Sequence, residues 1–141
     1  MPESDPLLTL ANDLRIACQH ISRRVRFEST SEVAPHQTSV LMGLRNSPRT
    51  PGELAEIERV SPPSMTRTVN CLVERGFIAR DNHPSDGRQK VLTLTDEGRA
   101  VLMRTSRARD DWMVRQLDGL TEDEQVLLRK ATDLLARVVS R

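Results

Sequence analysis

The sequence predicts a mainly α-helical fold with a small β-hairpin wing: a winged helix-turn-helix with further helices at both ends. Three observations carry this. Two short amphipathic segments between residues 51 and 75 are separated by a restart that prolines impose. After Gly76 the apolar period shortens from helical to alternating. Long apolar stripes at spacings of three and four run through both ends of the chain.

Asp5-Pro6 supplies an N-cap followed by proline at the first helical position. Leu7, Leu10, Leu14, Cys18, Ile21 and Val25 then stripe a long first helix, while Arg15, Gln19, Arg23 and Arg26 fall off the stripe. A second helix starts near Pro35 and runs through Val40, Leu41 and Leu44. The polar break Asn46-Ser47-Pro48-Arg49 leads to Thr50-Pro51-Gly52-Glu53, where Thr50 and Glu53 have the spacing of a capping box. Ser61-Pro62-Pro63 ends the helix so opened, because a residue before proline is biased away from helical geometry. Ser61 therefore caps a new helix with Met65, Val69, Leu72 and Val73 on its core face and Arg75-Gly76 at its close.

Phe77-Ile78-Ala79-Arg80 and Lys90-Val91-Leu92-Thr93-Leu94 read as strands, joined by the turn formers of residues 82–87. Thr95-Asp96-Glu97 starts another helix, with Val101, Ala108 and Trp112 among its apolar positions, and Asp118-Gly119 breaks it. Thr121 and Glu124 form a second capping box ahead of a last stripe of Leu127, Leu128, Ala131, Leu134, Leu135 and Val138.

Composition narrows the function. A chain of 141 residues suits one domain with its own core. Two cysteines, Cys18 and Cys71, are too few for a disulfide scaffold or a structural zinc cage. No apolar run approaches the roughly 18 residues that span a bilayer, and the acidic start Met1-Pro2-Glu3-Ser4-Asp5 is unlike a secretory leader, so a cytoplasmic protein is expected. A net charge of +1 excludes a generally polycationic surface. The charge is uneven, however. Residues 59–90 hold six basic and three acidic groups, whereas residues 1–58 hold six and eight, and residues 91–141 nine of each. His20, His36 and His83 lie in separate elements without ligand spacing, and the glycines stand singly at breaks or caps. No metal, cofactor or enzymatic constellation is therefore expected.

Four stretches, in this order, resemble bacterial regulators of the MarR family. They are Thr50-Pro-Gly-Glu-Leu-Ala-Glu, Ser61-Pro-Pro-Ser-Met-Thr-Arg, Leu72-Val-Glu-Arg-Gly-Phe-Ile and Asp86-Gly-Arg-Gln-Lys-Val-Leu-Thr-Leu-Thr-Asp-Glu-Gly98. The resemblance covers roughly residues 50–98 and implies a single domain of 1–141. Its DNA-binding lobe is expected at about 35–95 and its dimerisation helices at 6–30 and 96–141. It further implies a homodimer whose first and last helices intertwine, two lobes reading a pseudo-palindromic operator in double-stranded DNA, and repression released by a small aromatic or anionic effector. No membrane partner is expected.

On the helix after Ser61, Pro63, Ser64, Thr66, Arg67 and Asn70 lie away from the core positions. Arg67 is the candidate reader of guanine, whose two acceptors match a guanidinium fork, and Asn70 a candidate for adenine. In the wing, Arg88 matches the family's arginine that enters the minor groove, with Asp86 orienting it. Lys90 and Arg80 are candidate phosphate contacts, and Thr50 with the free amides of its helix is another. An effector pocket is expected around Arg15, His36, Met42 and Trp112, against the simpler role of core packing for Trp112. Some relatives sense peroxide through a first-helix cysteine activated by tyrosines. Arg15 holds that position, the chain has no tyrosine, and Cys18 on the apolar stripe reads as a buried, inert thiol. Cys71 lies beside the core face of the Ser61 helix. A winged-helix protein-interaction module and a thiol-redox regulator are the alternative functions.

Overall fold

The computed structural model describes residues 5–140; residues 1–4 of the acidic start and Arg141 lie outside the described residues. The order is α1 (Pro6–Glu28), α2 (Pro35–Gly43), α3 (Pro51–Glu58), α4 (Pro62–Glu74), β1 (Ile78–Asn82), β2 (Lys90–Leu94), α5 (Asp96–Leu117) and α6 (Glu122–Val139). This is the mainly helical, winged architecture that the patterning predicts.

Starts are set by side chains. Asp5, Thr50, Ser61, Thr95 and Thr121 each accept a backbone N–H at the first turn of α1, α3, α4, α5 and α6. The box at Thr121 is complete, since the Glu124 carboxylate returns to the Thr121 N–H at 2.9 Å. The box expected at Thr50 is only half made. Thr50 accepts from the Glu53 N–H at 3.2 Å, but Glu53 takes the Thr50 hydroxyl instead of its amide and leans towards Arg49, 3.8 Å away. Two left-handed residues turn the chain around α4: Gly76 at φ 80°, where glycine is unstrained, and Arg59 at φ 53°. An arginine in that region costs about 1–2 kcal/mol, which the close of α3 offsets through the Val60 N–H to Ala55 C=O bond at 3.1 Å.

The hairpin is antiparallel, pairing Ile78 with Leu94, Arg80 with Leu92 and Asn82 with Lys90. Its first strand starts one residue later than expected and reaches Asn82, because Phe77 is used to close α4 through its N–H to the Leu72 carbonyl. A feature the polar break 46–49 does not announce is a bridge on the hairpin's other edge: Arg49 and Leu92 exchange backbone bonds at 3.2 and 2.8 Å. This fastens the wing to the start of α3.

The core lies inside α2, α3, α4, the hairpin and the first turns of α5, around Leu41, Leu54, Met65, Leu72, Ile78, Leu92 and Val101. By contrast, no described residue of α1 or α6 is buried. Cys18 is consequently exposed in the protomer, contrary to the buried thiol expected from its place on the α1 stripe, because no described residue of the same chain covers the stripe there. Trp112 is buried, with the Arg24 guanidinium over its ring at 5.4 Å.

The loop between α1 and α2 ties the lobe to α5. Glu32 pairs with Arg104, its carbonyl accepts from Arg75 at 2.9 Å, and Ser31 meets Thr105 at 3.1 Å. Hydrogen bonding by Arg104, opposed by partial desolvation, holds the Glu32 carboxyl below its usual range. A carboxylate with a lowered folded pKa stabilises above its unfolded value, and loses that contribution as pH falls through the lowered one. Glu32→Gln is therefore expected to melt below the parent at neutral pH and to converge with it in acid, as thermal melts across pH would register.

Candidate nucleic-acid interface

Helix α4 turns Met65, Val69 and Leu72 into the core and leaves Pro63, Thr66, Arg67 and Asn70 exposed. Its opposite faces follow from the 3.6-residue turn. Several polar groups on this helix already hold one another. The Ser61 hydroxyl donates to Ser64 Oγ at 3.0 Å, and Arg67 Nη2 donates to the same oxygen at 3.3 Å. Thr66 donates back to the Pro62 carbonyl at 3.0 Å, so its hydroxyl is turned to its own helix. The guanidinium of Arg67 is thereby steadied near the helix N-terminus with donors to spare.

The hairpin stands beside α4. Arg80 Nη2 donates to Asn70 Oδ1 at 2.5 Å, joining wing and helix across ten residues of sequence. Lys90 Nζ donates to Asn82 Oδ1 at 2.6 Å across the strand pair. Asn82, absent from the expected set, is legible only once the register places it opposite Lys90. At the tip, Asp86 Oδ1 accepts the Arg88 backbone N–H at 3.0 Å. Asp86 thus fixes the main chain at Arg88, whose side chain is exposed at the turn. Thr50 spends its hydroxyl on Glu53, leaving backbone amides as the outward donors at the head of α3.

The four residues expected around an effector do not meet. His36 and Met42 lie six residues apart on α2, about 120° around a helix of 3.6 residues per turn. His36 borders a groove with Glu58, Val60, Arg67 and Cys71, where Gln37 Nε2 lies 3.4 Å from Cys71 Sγ. Met42 borders an open cavity of about 560 Å³ between α2 and α5, with Arg45, Arg99, Leu102, Thr105 and Arg109. Arg15 is exposed on α1 and bonds Asn12, while Trp112 packs under Arg24. In the second cavity Arg109 Nε is buried without a partner among the described residues. Burial, and then the nearby charge of Arg26, depress the Arg109 guanidinium below its ordinary value.

Comparison with known proteins settles the family. The family model of MarR matches residues 33–90, the stretch from the start of α2 to the head of β2. An HTH-type transcriptional regulator of Mycobacterium leprae is 40% identical over 132 residues, covering 92% of each chain. The chain belongs to the MarR family. The MarR-family chain is also similar to the HTH-type transcriptional repressor MdtR of Bacillus subtilis, at 29% identity over 134 residues, 91% of this chain and 86% of that one. A mutant of MarR from E. coli, solved in complex with operator DNA, superposes with a TM-score of 0.61 at 25% identity, covering 94% and 99% of the two chains. As a member of this family the chain is an HTH-type transcriptional regulator and not an enzyme. No helix among the described residues is long and apolar enough to cross a membrane.

Proposed function

We propose that this MarR-family regulator is a homodimeric repressor that reads double-stranded operator DNA with α4 and the wing, and that a small anionic effector releases it. The observation that carries this is the junction of Arg80 with Asn70, which ties the outer face of α4, where Arg67 is exposed, to the hairpin that bears Arg88 and Lys90. A recognition helix suits the major groove and a basic ribbon the adjoining minor groove or phosphates. The DNA-bound MarR and the repressor MdtR among its relatives support the same reading. Ser64 and Pro63 lie at the helix head, where backbone amides favour phosphate.

A second copy is the natural cover for the bare stripes. Leu7 and Leu127 are 70% and 66% exposed in the protomer, and the stripes occupy both chain ends. For the effector, the cavity between α2 and α5 is the better candidate. It keeps Met42 of the expected set and adds Arg45, Arg99 and Arg109, a cationic lining for a carboxylate.

Footprinting upstream of the protein's own gene, with affinity measured against salt, tests the proposal. Two protected half-sites about one helical turn apart and a steep negative salt slope are expected. Lys90→Ala should weaken all sequences alike and reduce that slope by about one. A flat salt response would instead favour a winged-helix protein-interaction module.

A further inference from the structure

Beyond placing Asn70 on the DNA-facing helix, the structure bears on which base edge it can read. An asparagine amide ordinarily matches adenine by accepting from N6–H through its oxygen while donating to N7. Here its oxygen is engaged. Arginine carries only donors, so the Asn70 atom lying 2.5 Å from Arg80 Nη2 must be the oxygen, which fixes the amide's orientation without ambiguity. The amide nitrogen is then the atom directed away from Arg80. Both residues are exposed, and neither is needed to fill the core.

Three consequences follow from charge and geometry. The guanidinium occupies one lone pair of Oδ1 and places a full positive charge beside the other. An adenine N6 amino group, itself a donor carrying partial positive charge, would have to approach that same region. A base edge made of acceptors meets no such conflict, since the Asn70 amide N–H groups and the unused Arg80 N–H groups are all donors. Guanine, with N7 and O6 adjacent in the major groove, is such an edge. The wing repeats the device: Lys90 Nζ occupies Asn82 Oδ1 at 2.6 Å, so a second asparagine oxygen is also taken by a cation.

We propose that Asn70 and Arg80 form one donor-only reading unit that selects guanine, and not adenine, at the base pair facing Asn70. Arg80 is the positioning residue of this unit, and it replaces the free phosphate anchor that the sequence alone implies. The inference rests on the reading of α4 as the recognition helix.

Selection of bound sequences from a randomised duplex library tests it, using the full-length protein and four variants. Asn70→Ala identifies the position in question, as the one whose preference it erases. In the parent protein that position should be guanine, favoured over adenine by at least about fivefold. Arg80→Met frees the amide oxygen and should shift the position towards adenine, whereas Arg80→Lys still donates to it and should keep guanine. Asp13→Asn, at an exposed position of α1 away from the pair, should leave this position unchanged. Adenine at that position in the parent protein, an unaltered preference in Arg80→Met, or no position altered by Asn70→Ala would each overturn the inference while leaving the DNA-binding reading standing. Failure of the parent protein to enrich any sequence would overturn both. Circular dichroism of each variant confirms the fold, and because Asn70 and Arg80 are exposed, all are expected to retain it.

Discussion

Arg67→Ala is expected to weaken operator binding by about 1–3 kcal/mol, a loss of roughly five- to 150-fold, and to relax base preference at one position in each half-site. The magnitude follows from what the guanidinium supplies. Two parallel N–H donors match the N7 and O6 of guanine, and alanine leaves those acceptors facing a gap from which water must satisfy them. Fluorescence anisotropy on operator duplexes with each base substituted in turn would measure both effects. Among the described residues this guanidinium hydrogen-bonds only the Ser64 hydroxyl, at 3.3 Å, so thermal stability should stay within about 0.5 kcal/mol of the parent protein. Affinity and discrimination left intact by the substitution would remove Arg67 from the interface.

The second large effect is on stability. A Cβ added at Gly98 would sit 2.2 Å from the Phe77 carbonyl oxygen and 2.8 Å from a Leu94 methyl. The first neighbour is backbone and cannot swing aside. That same oxygen accepts the Thr95 N–H at 3.1 Å, and the Thr95 hydroxyl donates to Gly76 at 2.6 Å. Making room therefore separates the head of α5 from the end of α4 and the start of the wing. Overpacking at such a site costs about 1–3 kcal/mol, and a broken backbone bond about 1 more. Gly98→Ala should accordingly lose about 2–4 kcal/mol in urea melts. Gly87→Ala at the wing tip, where an added Cβ meets nothing within 4 Å, is the control expected to change little.

Gly98 also illustrates how far the residues alone speak. Its position in the Leu-Thr-x-x-Gly stretch is plain in the sequence, but there it reads as one more glycine at a cap. The reason for it is its close approach to Phe77, far earlier in the chain, which no local pattern encodes. Helix starts were legible because a capping side chain and a proline act within four residues. The capping residues read at Asp5, Thr50, Ser61, Thr95 and Thr121 all sit at helix heads. The bridge between Arg49 and Leu92 was not legible, since an isolated pairing leaves no periodicity.

The candidate interface divides in the same way. Which face of α4 points outward could be read from Met65, Val69 and Leu72 holding the core. What its outward groups bond could not. The Arg80–Asn70 and Lys90–Asn82 pairs depend on the register of the hairpin and its lean against α4. The residues expected around an effector divide for a related reason. Arg15, His36, Met42 and Trp112 suit an effector by residue type, but helix rotation separates His36 from Met42 and places the arginines of α5 beside Met42.

The outer helices α1 and α6 keep their leucines in water when the chain is alone. Any surface that shields them adds its binding free energy to that of folding. When the shield is a second copy, folding and pairing become a single equilibrium. Dilution then acts as a denaturant, and the melting temperature describes a solution at a stated concentration instead of a molecule.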